Sequence, residues 1–209
     1  MNTSSAAAMP RLILGSSSPY RKELLSRLRL PFDVALPTIN ELPHENEAPE
    51  ATALRLAQEK AAAIAARIPD ALVIGSDQVA TLDGEQIGKP GTHANALLQL
   101  QKMRGRRVVF HTALCLWDGR RFPAGPAMQL ENVPTYVTFR NLPDAELDAY
   151  LRIEQPYDCA GSAKNEGLGI ALIERIESAD PTALTGLPLI ALTTMLRNAG
   201  MPFFAANPA

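Results

Sequence analysis

An α/β fold is the class this sequence predicts, and three observations predict it. Short apolar runs such as Leu12–Gly15 and residues 71–75 have the length and flanks of buried strands. Amphipathic runs of helical period lie between them, with caps and prolines where the two patterns meet. Strands alternating with helices build helix-covered sheets. The 209 residues suffice for a sizeable core, and no repeat or low-complexity linker interrupts them. Residues 10–200 read as one domain between a flexible extension (1–9) and a proline-bearing tail (201–209).

In chain order, Leu12–Gly15 is the first strand. Ser18 then offers an N-cap, and Pro19 suits the first helical position, where its missing N–H costs nothing. The helix that opens there carries Leu24, Leu25 and Leu28 on one face. Residues 32–36 form a short strand stopped by Pro37. Residues 50–67 form an alanine-rich helix with Leu54, Leu56, Ala61 and Ile64 on its apolar face and Pro69 beyond its end. Residues 71–75 are apolar nearly throughout, as a strand covered on both faces is. A strand precedes Gly88, and residues 92–103 are helical. Residues 108–116 and 132–139 are strands, the second with Val133, Thr135, Val137 and Phe139 on one side. Residues 143–153 form a helix whose first turn holds Asp144 and Glu146, complementing the helix dipole. Residues 169–176 are the last strand, and 187–198 the last helix, stopped at Gly200.

Composition narrows the function. Hydrophobic residues make up 46% of the chain and charged residues 20%, the balance of a globular protein rather than a disordered one. A formal net charge of −2 argues against a protein that coats nucleic acid, so positive charge meant for phosphate must be local. Cys115 and Cys159 lie far apart without metal spacing, which suits a reducing cytosol. No run approaches the ~20 apolar residues of a membrane helix, and the first eight residues lack the basic and apolar parts of a signal peptide.

The segment Ser16-Ser17-Ser18-Pro19-Tyr20-Arg21-Lys22 leads from a strand through a hydroxyl-rich loop into a helix N-terminus. Free N–H groups, the positive end of the dipole and Arg21 would receive an anion there, although an ordinary capped helix looks the same. Gly75-Ser76-Asp77-Gln78 follows the buried strand and would sit at its carboxyl end, where open α/β sheets bind ligands. Asp77 has three readings: ligand of a divalent cation, general base, or turn cap. Glu41, past another strand, could share a cation with it, because hard cations take oxygen ligands. Lys89 between Gly88 and Pro90 is a charge on a stiff loop, whereas Lys60 by itself reads as part of a solvated helix face. His44, His93 and His111 share no metal spacing, and His111, on a strand, reads as structural. P-loop, dinucleotide and nucleophile-elbow motifs are absent.

Leu14-Gly15-Ser16-Ser17-Ser18-Pro19-Tyr20-Arg21-Lys22-Glu23-Leu24-Leu25, Glu41, Lys60, Gly75-Ser76-Asp77-Gln78-Val79 and Gly88-Lys89-Pro90 together resemble the Maf family of nucleotide pyrophosphatases. Cys159-Ala160-Gly161-Ser162-Ala163-Lys164-Asn165-Glu166-Gly167-Leu168-Gly169-Ile170, with Leu184-Thr185-Gly186-Leu187-Pro188-Leu189, resembles its branch acting on 7-methyl-GTP, where other members prefer dTTP and UTP. The resemblance implies a mixed, twisted sheet flanked by helices, of the Maf and inosine-triphosphatase type. It implies hydrolysis of a nucleoside triphosphate at the α-phosphorus, giving a monophosphate and pyrophosphate. Asp77 is then the proton acceptor for water, and a divalent cation (Mg, Mn or Co) is expected between Glu41 and Asp77. A metal-bound Asp77 would not freely take a proton, so its two roles compete.

The triphosphate is expected among Ser16, Ser18, Arg21, Lys60 and Lys89, and base selection at Tyr20, Gln78 and Glu166. A 7-methylguanine ring is cationic, so Tyr20 could stack on it and a Glu166 carboxylate could accept its N–H groups. Family members usually carry Asp where this chain has Asn40. A cytoplasmic enzyme with a nucleotide as its small-molecule partner, and a homodimer, are implied in the same way. Two alternatives stand beside this reading: a dTTP/UTP pyrophosphatase, and a regulatory protein that holds nucleotide without hydrolysing it.

Overall fold

The computed structural model describes residues 9–204. The expected N-terminal extension, apart from Met9, and the last five residues of the expected tail lie outside the described residues. Seven strands form one sheet: β1 (Leu12–Gly15), β2 (Asp33–Ala35), β3 (Leu72–Leu82), β4 (Glu85–Ile87), β5 (Arg107–Asp118), β6 (Met128–Phe139) and β7 (Ile173–Ser178). Their order is β2-β1-β3-β5-β6-β7, with β4 paired to β3. The pairs β1–β2 and β1–β3 are parallel and the rest antiparallel, so the sheet is mixed. Five helices cover it: α1 (Pro19–Ser26), α2 (Pro49–Ala65), α3 (His93–Met103), α4 (Asp144–Glu154) and α5 (Leu189–Asn198). None is long and apolar enough to cross a membrane.

The two-residue period of the strands sorts the core. Leu12, Leu14, Leu72, Ile74, Leu114 and Leu116 pack with α1 and α5 on one face. Ile13, Val73, Ala113 and Cys115 pack with Ala53, Ala57, Ala61 and Ile64 of α2 on the other. A further cluster, with Phe110, Val137 and Phe139, fills the space under α3 and α4. Gly75 belongs to the α2 face, and a Cβ there would run into the Ala57 carbonyl and lie 2.7 Å from the Ala61 nitrogen. The absent side chain lets the α2 backbone rest directly on β3.

The expected short strand 71–75 is the first third of a longer one. β3 continues to Leu82 because β5 pairs with it from Leu72 to Thr81, which satisfies the polar stretch Ser76-Asp77-Gln78 as ladder rather than turn. Asp77 is therefore mid-strand, not at a strand end. The parallel partner β1 does stop at Gly15, opposite Gly75, and β4 begins pairing only at Ala80. Residues 76–79 thus face a gap on that side, and the carboxyl end of the parallel part of the sheet still marks the opening. The expected strand 169–176 is also corrected. Leu168–Leu172 is a 3₁₀ turn, and pairing starts at Ile173. A Cβ on Gly169 would lie 2.5 Å from the Lys164 nitrogen, so the chain doubles back too tightly there for a strand.

The loop between β2 and α2 carries Glu41 and is tied down by Arg55. Its guanidinium donates to Glu47 at 2.6 and 2.7 Å and to the Leu42 carbonyl at 3.1 Å, and Glu47 also accepts from Thr52 and the His44 N–H. The Arg55 bond holds the Glu47 carboxyl down at about 2, from an ordinary 4.5.

Two outcomes are expected. Gly75→Ala should cost about 1–3 kcal/mol, or roughly 2–12 °C in melting temperature, because α2 must lift off the sheet. Glu47 has a depressed value, so its contribution is complete above pH 4.5 and fades as pH falls toward about 2. The melting-temperature gap between wild type and Glu47→Gln should therefore close over that window, read by thermal denaturation at stepped pH.

Candidate active site

The gap beside residues 76–79 is the mouth of a cavity of about 880 Å³, within the size range of small-molecule sites. One wall is the turn into α1. Ser18 caps that helix with its hydroxyl on the Arg21 N–H at 3.4 Å, and its own N–H donates to Ser16 Oγ at 3.1 Å. Arg21 reaches back to Ser16 Oγ at 3.4 Å and donates through Nε to the Gly186 carbonyl at 2.8 Å. Burial pushes its guanidinium below the ordinary value, while Asp77 and Glu41 nearby pull it up. Lys89 lines the cavity from the loop after β4, exposed and without an ion pair among the described residues. Hydroxyls, helix terminus and cations on one wall make an anion receptor.

The opposite wall differs from the sequence reading. Lys60 is no solvated stem: it is 5% exposed, and its ammonium donates to Asp77 Oδ1 at 2.7 Å and Glu41 Oε2 at 2.8 Å. Asp77 points to the α2 face because it shares the parity of Gly75, and the close approach at Gly75 brings Lys60 within reach. The position expected for a cation, between the two carboxylates, is thus where Lys60 ends. Glu41 Oε1 and Asp77 Oδ2 are the oxygens Lys60 leaves free. No group of three or more metal-ligating side chains occurs among the described residues. Asn40 turns the chain at this point: its Oδ1 accepts the Leu42 N–H at 3.1 Å, a bond that an Asp carboxylate could equally accept.

The base-selecting candidates line the same cavity, in different states. Tyr20 is half-buried, with the Lys164 ammonium 5.8 Å above its ring centre and Lys164 in turn paired to Glu154 at 3.1 Å. Glu166 sits at the rim, where partial desolvation raises its carboxyl from the ordinary range. Gln78 has its amide nitrogen engaged: it donates to Thr112 Oγ1 at 2.9 Å and to the Leu184 and Ala183 carbonyls at 3.0 and 3.1 Å. Sequence reasoning missed Ser76, Thr112, Arg55 and Lys164 as parts of this site. The available signal was polarity at core positions: Ser76 and Thr112 interrupt apolar parity on neighbouring strands and are fully buried. His111 is on β5 beside Asn132, outside the cavity lining. Burial pushes both thiols, Cys115 and Cys159, up to about 12, so neither is a ready nucleophile.

Several known proteins are similar in sequence to nearly the whole of this chain. A Cupriavidus metallidurans protein named 7-methyl-GTP pyrophosphatase is 69% identical over 97% of this chain and 100% of its own length. Proteins of the same name from Ralstonia nicotianae and Burkholderia pseudomallei are 66% and 67% identical, covering 94% and 96% of this chain and 99% and 93% of their own. Residues 11–199, which include both walls of the cavity, match the family described as Maf-like protein. The chain belongs to the Maf family.

Proposed function

We propose that this chain is a nucleoside triphosphate pyrophosphatase that hydrolyses 7-methyl-GTP at the α-phosphorus, releasing the monophosphate and pyrophosphate. The observation that carries the reading is the pairing of an anion-receiving wall with a carboxylate–ammonium–carboxylate wall across one gap in the sheet. The relatives' shared name supports the choice of nucleotide.

Ser16, Ser18, Arg21 and Lys89 would hold the triphosphate, and Lys60 would stand where charge builds on the phosphate oxygens during attack. Asp77 would accept the proton of the attacking water through Oδ2, its other oxygen being fixed by Lys60. A divalent cation such as Mg, Mn or Co suits the free Glu41 Oε1 together with phosphate oxygens, and Asp77 Oδ2 would join it only by giving up its role as proton acceptor. Bound there, it would withdraw charge from the phosphate. Tyr20 would stack on the cationic base, an attraction of about 0.5–2 kcal/mol that GTP does not offer. Glu166 would accept the hydrogens of the base edge. A nucleotide and two unpaired thiols fit a cytoplasmic setting.

The test is a nucleotide panel with Mg²⁺ or Mn²⁺, with pyrophosphate and orthophosphate detected separately. Equimolar pyrophosphate and 7-methyl-GMP are expected, and orthophosphate instead would overturn the reading. Asp77→Asn should lower kcat by about 10²- to 10⁴-fold and leave binding measurable, the usual range for a lost general base. Glu166→Gln should cost 7-methyl-GTP about 5- to 150-fold, because amide donors would face the donors of the base. Its residual dTTP and UTP activity should change far less. Steady-state kinetics on the three nucleotides reads this, and equal losses would mean that Glu166 supports its loop rather than the base.

A further inference from the structure

Residues 183–186 form a strap beside the cavity, which Leu184, Thr185 and Gly186 line, and the carbonyls of Ala183, Leu184 and Gly186 are held by side chains of β3, β5 and α1. The Ala183 carbonyl accepts from Thr112 Oγ1 at 3.0 Å, from Gln78 Nε2 at 3.1 Å and from the Gly186 N–H at 2.8 Å. The Leu184 carbonyl accepts from Gln78 Nε2 at 3.0 Å. The Gly186 carbonyl accepts from Arg21 Nε at 2.8 Å and lies 2.9 Å from Ser76 Oγ. Gly186 has φ +108°, a conformation that suits glycine, so the turn itself is specified by sequence. On its outer side, Thr185 Oγ1 accepts from Asn165, the neighbour of Glu166, at 3.4 Å. The strap therefore touches the phosphate-binding arginine at one end and the loop of the base-reading carboxylate at the other.

Gln78 has two amide hydrogens and three acceptors within 3.1 Å, so its donors are spent on the strap and on Thr112. Thr112 is 0% exposed and sits opposite Gln78 in the β3–β5 ladder. We propose that Thr112 is a positioning residue for base selection, acting with Gln78 by pinning the 183–186 strap, so that Gln78 influences the choice of nucleotide through the strap rather than by donating to the base. The proposal rests on the base being read beside Tyr20 and Glu166.

Thr112→Val keeps the shape and removes the hydroxyl; Thr112→Ser keeps the hydroxyl. Well below the melting temperature, Thr112→Val should change the ratio of kcat/KM between the two fastest nucleotides of the panel by about tenfold, the worth of roughly one net hydrogen bond. Thr112→Ser should restore the wild-type ratio. Gln78→Met should shift the ratio in the same direction, and the double variant Gln78→Met/Thr112→Val should go no further than the stronger single one, since both remove one support. Thr112→Ala carries the same test where the valine variant does not fold. A Thr112 variant with a lowered melting temperature and an unchanged ratio, or additive effects in the double variant, would overturn the proposal. Because the ratio uses whichever two nucleotides are turned over fastest, a wild-type panel not led by 7-methyl-GTP would defeat the functional reading without deciding this one.

Discussion

A buried ammonium held between two carboxylates is the interaction on which the rest of the site depends. Lys60 lies at the end of a chain of requirements: Gly75 without a side chain, α2 flat on β3, and Asp77 two residues on, facing the same way. An ammonium removed from water is tolerated only when its partners are close and well aligned, and here they come from a strand and a loop that share no other fixed geometry. The Arg55–Glu47 clamp supplies what the loop lacks. Since Arg55 and Lys60 stand on one helix, α2 anchors the Glu41 loop at Glu41, Leu42 and Glu47 at once.

Strand alternation then divides the labour of β3. Asp77 faces α2 and meets Lys60, whereas Ser76 and Gln78 face the other way and meet the 183–186 segment. One strand thus serves an ion-pair network on one face and the 183–186 strap on the other, within three consecutive residues. The gap left where β1 stops and β4 has yet to begin opens the cavity beside both Asp77 and Gln78. A mixed sheet makes this arrangement available, because β5 supports β3 along its length on the far side.

Local chemistry was legible in the sequence, and distant pairing was not. The Ser18 cap, Pro19 at the helix start and Gly200 at the last stop all follow from preferences within a few residues, and all appear. The cavity wall from Ser16 to Arg21 was readable for the same reason. The length of β3 was hidden because Ser76-Asp77-Gln78 looks like a turn until β5 is placed beside it. By its own neighbours Lys60 reads as a solvated helix face, and only the family resemblance sets it at the site, because its burial depends on a carboxylate 17 residues away, brought close by packing alone. The 3₁₀ turn at Leu168–Leu172 was taken for strand because its apolar residues carry no sign of the tight reversal at Gly169.

The bond from Arg21 to the Gly186 carbonyl joins residues 165 positions apart. During synthesis the Ser16–Arg21 turn emerges first, roughly 8–33 s ahead of the 183–186 strap at the usual 5–20 residues per second. Until then the guanidinium has no Gly186 carbonyl to aim it. Leu24 and Leu25 of the same helix as Arg21 pack in one core cluster with Leu187 and Leu192, so the turn takes its final geometry only once that later segment has been made.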